Sequence, residues 1–290
     1  MMQAAASSFP DRRTPRVREL IATASIELSP RDRLAGEPLR DLFPPQTAVF
    51  VSHPPSAAWE DIAAACARLR RAGFVPVPHI AARRLASVEA AVDFLRRLTD
   101  EAEICDVLLI GGDPDWPAGP FRDALTLLAS GLIECHGIEQ IRFAGYPEGH
   151  SLISERALDR ALDAKLALSK ERGLTASLVT QFAFDAAPIE RWLAGLRARG
   201  ILCPVRIGIA GPASVMTLAK FAVRCGIGAS MRALARGHTA FARILTEATP
   251  DGLIDALAGA AETGEIDGLH VFTFGGAART AQWRRAKLSA

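Results

Sequence analysis

The chain has 290 residues, of which 49% are hydrophobic and 23% charged, with 34 Lys plus Arg against 32 Asp plus Glu and a formal net charge of +2. Ordinary apolar content without a glycine or heptad period excludes collagen, coiled coil and a disordered chain. Near-balanced charge spread along the sequence gives no electrostatic case for nucleic acid or an anionic membrane as partner.

Five cysteines, at positions 66, 105, 135, 203 and 225, form no CxxC pair and read as reduced thiols instead of a disulfide framework or zinc knuckle. Residues 1–20 lack the ~7–15-residue apolar core of a secretory signal and read as a flexible tail. The longest apolar runs, such as Val107–Ile110, are strand-sized and far short of the ~18 residues of a membrane span. A cytoplasmic location is therefore expected.

Along the chain, short β-branched or apolar runs alternate with Ala/Leu/Arg-rich stretches of helical period. The expected strands cover 23–28, 48–52, 75–80, 106–110, 140–144, 177–182, 204–209 and 269–274. Between them helices are predicted near 57–72, 87–101, 119–134, 151–172, 187–199 and 213–225, and in two pieces over 230–262. Ser87 and Ser214 mark helix starts, and Gly73, Gly200 and Gly226 mark stops. The stretch 29–47, with its prolines, shows little periodicity. Runs that are apolar throughout indicate strands buried on both faces, as in parallel sheets. Eight β/α units in ~250 residues favour an α/β fold of one kind, a single (β/α)8 TIM barrel over 21–275. Residues 276–290 read as a basic carboxy-terminal helix with a solvated face.

In such a barrel, chemistry sits at the carboxyl ends of the strands. The residues there are Glu27, His53, His79, Gly111-Gly112-Asp113, Gly145 to His150, Gln181, and His270 with Thr273. A lone histidine or a GGD turn is ordinary. Glu27 differs, because it interrupts an apolar strand where a carboxylate must be paired or carry a raised pKa. No ligand types stand at spacings that build a metal site, so none is expected. A GxGxxG or Walker loop is absent, so a nucleotide cofactor would be held at the barrel mouth.

Phe143-Ala-Gly-Tyr-Pro-Glu-Gly-His150, Thr180-Gln-Phe-Ala-Phe-Asp185, Pro78-His79, Gly112-Asp-Pro114, Ile26-Glu27-Leu-Ser-Pro30 and His270-Val-Phe-Thr273 together resemble the motifs of the methylenetetrahydrofolate reductases. The match runs in strand order from about residue 22 to 275. The resemblance implies an FAD-dependent barrel acting on a tetrahydrofolate one-carbon derivative. Under it Glu27 is the general acid toward the folate N10, and Asp113 stands beside flavin and pterin. Gln181 and Phe184 meet the folate. His53, His79, Gly112, Asp113, Tyr146, His150, Asp159 and Lys165 hold FAD.

Two departures from the pattern matter. The family's Arg-Gly-Asp is Gly111-Gly112-Asp113 here, with Arg83 or Arg84 as the substitute cation. The seventh loop presents Ala213, Ser214 and Val215 where the family has a nicotinamide-stacking ring, so NAD(P)H as electron partner stays open. The regulatory domain of eukaryotic relatives is expected to be absent. Rival readings are a folate- or pterin-dependent methyltransferase barrel and a noncatalytic folate-binding subunit. The Ala/Leu/Arg-rich helices allow a homo-oligomer.

Overall fold

The computed structural model describes residues 14–32, 36–224 and 247–289. Eight parallel strands close into a barrel: β1 Ser25–Leu28, β2 Ala48–Val51, β3 Val75–Ala81, β4 Asp106–Ile110, β5 Gln140–Gly145, β6 Thr175–Ala183, β7 Val205–Ala210 and β10 Gly268–Phe272. Each strand neighbours the next in sequence, and β10 pairs with both β7 and β1. The expected TIM barrel is thus the fold. A two-residue ribbon, β8 Ala213–Ser214 with β9 Glu247–Ala248, is added at the mouth after β7.

Helices α2 Trp59–Arg71, α3 Val88–Ala102, α4 Ala124–Ala129, α5 Leu132–Cys135, α6 Glu155–Glu171, α7 Ala186–Ala198 and α8 Val215–Arg224 surround the strands. The single helix expected over 119–134 is broken at Ser130-Gly131, where Gly131 takes a left-handed conformation. The irregular stretch 29–47 holds one 3-10 turn, Glu37–Asp41. Of the helices predicted over 230–262, Asp251–Ala256 and Ala258–Glu262 are present, while 230–246, like Cys225 and Gly226, lies outside the described residues.

The reading of residues 1–20 as a tail is corrected from Pro15 onward. Helix α1 spans Pro15–Ala22, and the Thr14 hydroxyl accepts from the Val17 N–H at its start. Its apolar face buries Val17, Leu20 and Ile21. The carboxy-terminal helix Ala277–Ser289 is not simply solvated either: it buries Ala281 and Trp283, and Arg284 donates to the Ile21 and Ala22 carbonyls at the end of α1.

The core lies in two places. Outward-facing strand side chains meet the helices, and inward-facing ones fill the lumen. There Phe50, Val77, Leu108 and Val179 form an apolar layer. Below it Arg142 forks onto both Asp106 oxygens at 2.6–3.0 Å and lies 5.6 Å over the Phe50 ring. No described helix is long and apolar enough to cross a membrane.

Candidate active site

Register places Glu27 on β1 between Phe272 of β10 and Phe50 of β2. Its carboxylate faces two imidazoles: Oε2 lies 3.4 Å from His79 Nε2 and 3.5 Å from His270 Nε2. His270 Nδ1 is 3.0 Å from the Ser25 hydroxyl, which also lies within donating distance of the Leu269 carbonyl. A hydroxyl that donates to the carbonyl accepts from Nδ1–H, which leaves Nε2 as a lone pair toward Glu27. Burial pushes the Glu27 carboxyl up against a smaller opposing pull from His79. Burial likewise pulls His79 down to about 4 and His270 to about 3. Burial thus disfavours charge on all three groups, biasing Glu27 toward its protonated form and His79 and His270 toward their neutral forms.

The other predicted residues fall into three groups. His53 follows β2, is buried, and is held near 4 first by burial and then by the Arg84 guanidinium. Asp113 is largely exposed at the end of β4, 3.6 Å from Arg84 Nη2. Gly112 has φ +94°, a conformation that favours glycine, and a Cβ there would come 3.1 Å from that of Ala81. Of the two arginines weighed as substitutes, Arg83 is spent on the Pro114 and Arg122 carbonyls, and Arg84 is the one beside Asp113.

A groove of about 460 Å³ opens after β5 between α6 and α7, lined by Tyr146, Asp159, Lys165, Trp192 and Arg199 among others. Burial raises the Tyr146 phenol, which stays neutral. The Lys165 ammonium lies 4.8 Å over the Phe143 ring and is lowered to about 8 by burial. Asp159 is engaged by Arg199, which also takes Asp163, so a ligand ribose would compete with that guanidinium. His150 stands at the edge of the Tyr146 ring, 5.4 Å between centroids, and its Nδ1 accepts from the Leu152 N–H.

Gln181 and Phe184 form the third group, half-buried around the carboxyl end of β6. The register irregularity between Val179 and Phe182 falls there, and the Thr180 hydroxyl donates to the Gln181 carbonyl.

The sequence reading missed an aromatic wall at this end of the barrel. Phe182 and Phe184, Phe272 and Phe274, and Phe221 of α8 pack as one cluster, with Phe221 stacked on Phe274 at 4.2 Å. The two Phe-x-Phe pairs were the available signal. Positions 213–215 carry no ring, as read, and Ala213–Ser214 is taken up by the ribbon. It also left Ser25 unassigned, because a serine at the start of an apolar strand draws no notice alone. Among the described residues no three His, Cys, Asp or Glu are arranged as a metal site.

No family model matches the chain. One similar solved structure is a D-aminoacylase mutant in complex with CuCl2, at 14% identity and a TM-score of 0.36. That alignment covers 64% of this chain and 47% of the other, so the chain spans about half the length of that protein. A likeness of this degree carries no argument about activity.

Proposed function

We propose that this chain is an FAD-dependent oxidoreductase interconverting 5,10-methylenetetrahydrofolate and 5-methyltetrahydrofolate. The observation that carries the reading is Glu27, a carboxyl at the mouth of an otherwise apolar strand, facing two buried imidazoles and biased toward its protonated form. Such a group can donate a proton near neutral pH, as a general acid requires. The motif resemblance supplies the substrate class.

The residues present fit FAD on two counts. His53 Nδ1 and Arg84 Nε are buried beside the mouth without partners, and the groove after β5 has a volume in the range of ligand sites. Tyr146 and Lys165 would hold the nucleotide half there, with His150 at the edge of the Tyr146 ring, and His53, Gly112 and Arg84 would hold the ring half. Bound flavin would supply the hydride chemistry.

The chain's own contribution is proton control and orientation. Glu27 would deliver a proton to the folate N10 as the N10–methylene bond breaks, leaving the electrophilic iminium at N5. Burial biases Glu27 toward its protonated form, the His79 and His270 imidazoles stand 3.4 and 3.5 Å from its Oε2, and Ser25 sets the His270 tautomer. Asp113, anchored by Arg84, would place a negative charge where the pterin cation develops. Gln181 offers a donor and an acceptor to a pterin edge, and Phe184 a packing face. The partner is thus a tetrahydrofolate derivative, and a cytoplasmic enzyme suits it.

Purified protein is expected to be yellow, or to be reconstituted by FAD, and its reduced form to be reoxidised anaerobically by methylenetetrahydrofolate. Glu27→Gln should keep the flavin and lose folate turnover by roughly 10²-fold or more. Normal turnover in that variant would refute the acid assignment, and a colourless protein that cannot be reconstituted would refute the whole reading. Anaerobic mixing with NADH and NADPH tests the electron donor: bleaching by either shows that a ring at positions 213–215 is dispensable.

A further inference from the structure

The groove after β5 runs between α6 and α7, and an ion-pair cluster ties the two helices together. Arg199 caps the carboxyl end of α7, where Gly200 takes a φ of +75° and ends the helix. Its guanidinium reaches two carboxylates of α6. Nη1 donates to Asp159, while Nη2 donates to the Asp159 carbonyl at 3.2 Å and to Asp163 Oδ1 at 2.5 Å. Asp159 and Asp163 stand four residues apart on one face of the helix, a spacing at which like charges repel. One guanidinium set between them offsets that repulsion.

The charge balance of the groove turns on this residue. Its lining carries three cations, Lys165, Arg191 and Arg199, and three carboxylates, Glu148, Glu155 and Asp159. Without Arg199 the balance is two against three, with Asp163 a further acid beside Asp159. An anionic ligand would then meet net negative charge, whereas a neutral ligand would not feel the difference. The cluster is partly solvated, with the Arg199 side chain 28% exposed and the two aspartates 54% and 57%, so its field is open to screening by salt.

We infer that Arg199 sets the charge of this groove: by taking up Asp159 and Asp163 it lets the diphosphate of a nucleotide lie beside two carboxylates. The inference rests on the FAD reading above and assigns to Arg199 the discrimination between an anionic and a neutral ligand. Asp159 already has a counter-ion within the protein, so its part in the groove is to hold Arg199 in place. Arg199 touches no reacting atom and acts on the ligand through the field it cancels.

The test is calorimetric titration of flavin-free protein with ADP and with adenosine, which share sugar and base and differ in the diphosphate. Arg199→Gln should weaken ADP roughly 5-fold or more at low salt and change adenosine less than about twofold. The ADP loss should shrink in NaCl near ~0.5 M, where the Debye length falls to about 4 Å. Arg199→Lys should keep most of the ADP affinity. Asp159→Asn with Asp163→Asn, leaving Arg199 in place, should raise the affinity for ADP relative to adenosine, which checks the inference without altering Arg199. Equal losses of ADP and adenosine in Arg199→Gln would make the residue a wall of the groove and overturn the inference. Tighter ADP binding in that variant would make the ion pair a barrier to entry and overturn it as well, as would wild-type protein that binds neither ligand. The expected pattern with ADP in a protein that takes up no FAD would sink the FAD reading and leave the role of Arg199 intact.

Discussion

Glu27 stands where its charge is least welcome, and that has a measurable consequence. Its folded-state pKa is raised, so its contribution to stability is complete below the unfolded value of 4.5 and is lost as pH rises through the folded value. Glu27→Gln removes this dependence. The variant should gain stability relative to wild type above about pH 5, with the difference vanishing near pH 4, as read from denaturation midpoints across that range. A constant difference at all pH values would show that the carboxyl is not desolvated. Gly145 is a second residue under local constraint: a Cβ there would fall 2.6 Å from the Trp192 ring. Gly145→Ala should therefore cost about 1–3 kcal/mol and displace Trp192 from the groove wall, visible as a change in tryptophan emission. Glu27 was legible in the sequence because a charge in an apolar run is conspicuous. Arg84 was one of two equal candidates, and only the carbonyls that take up Arg83 separate them.

At the scale of elements, the loop from Gly111 to Asp123 is pinned and not free. The Arg83 N–H donates to the Gly111 carbonyl, Ala118 N–H donates to the Arg83 carbonyl, and the Arg83 guanidinium reaches Pro114 and Arg122. This holds Asp113 at the rim, with Trp116 85% exposed beside it. Arg83→Ala should free the loop while leaving the barrel folded, raising proteolysis near Trp116 with little change in the global unfolding midpoint. Unaltered cleavage would mean that the main-chain bonds alone suffice. The strands were read within a few residues because runs buried on both faces stay apolar throughout. Helix α1 was missed because its eight residues follow a polar stretch, and its short apolar face counts only once it packs against the carboxy-terminal helix, Ala258–Glu262 and β10.

For the whole molecule, two buried polar layers set the response to acid and to mutation. His53, His79 and His270 are each held well below the usual histidine value, to about 4, 4 and 3. Their contribution to stability is present above 6.5 and is lost as pH falls toward 3–4, because the unfolded chain binds those protons first. Stability should decline steadily from about pH 6.5 downward, and replacing His270 with Gln should flatten the slope. At the lumen floor, Arg142→Ala would strand the buried Asp106 and is expected to cost about 3–5 kcal/mol, whereas Asp106→Leu with Arg142→Met should recover most of it. Chemical denaturation of wild type and these two variants decides this.

The sequence by itself determined the barrel and the ring of residues at its mouth. Strand period, glycine stops and the position of polar residues at strand ends are local properties, written within a few residues of each other. Only the tertiary structure decided which of those residues meet. The pairing of Glu27 with His270, of Asp113 with Arg84, and of Phe221 with Phe274 depends on barrel closure and register. These contacts join residues 29 to 243 positions apart, a separation at which no periodicity carries information.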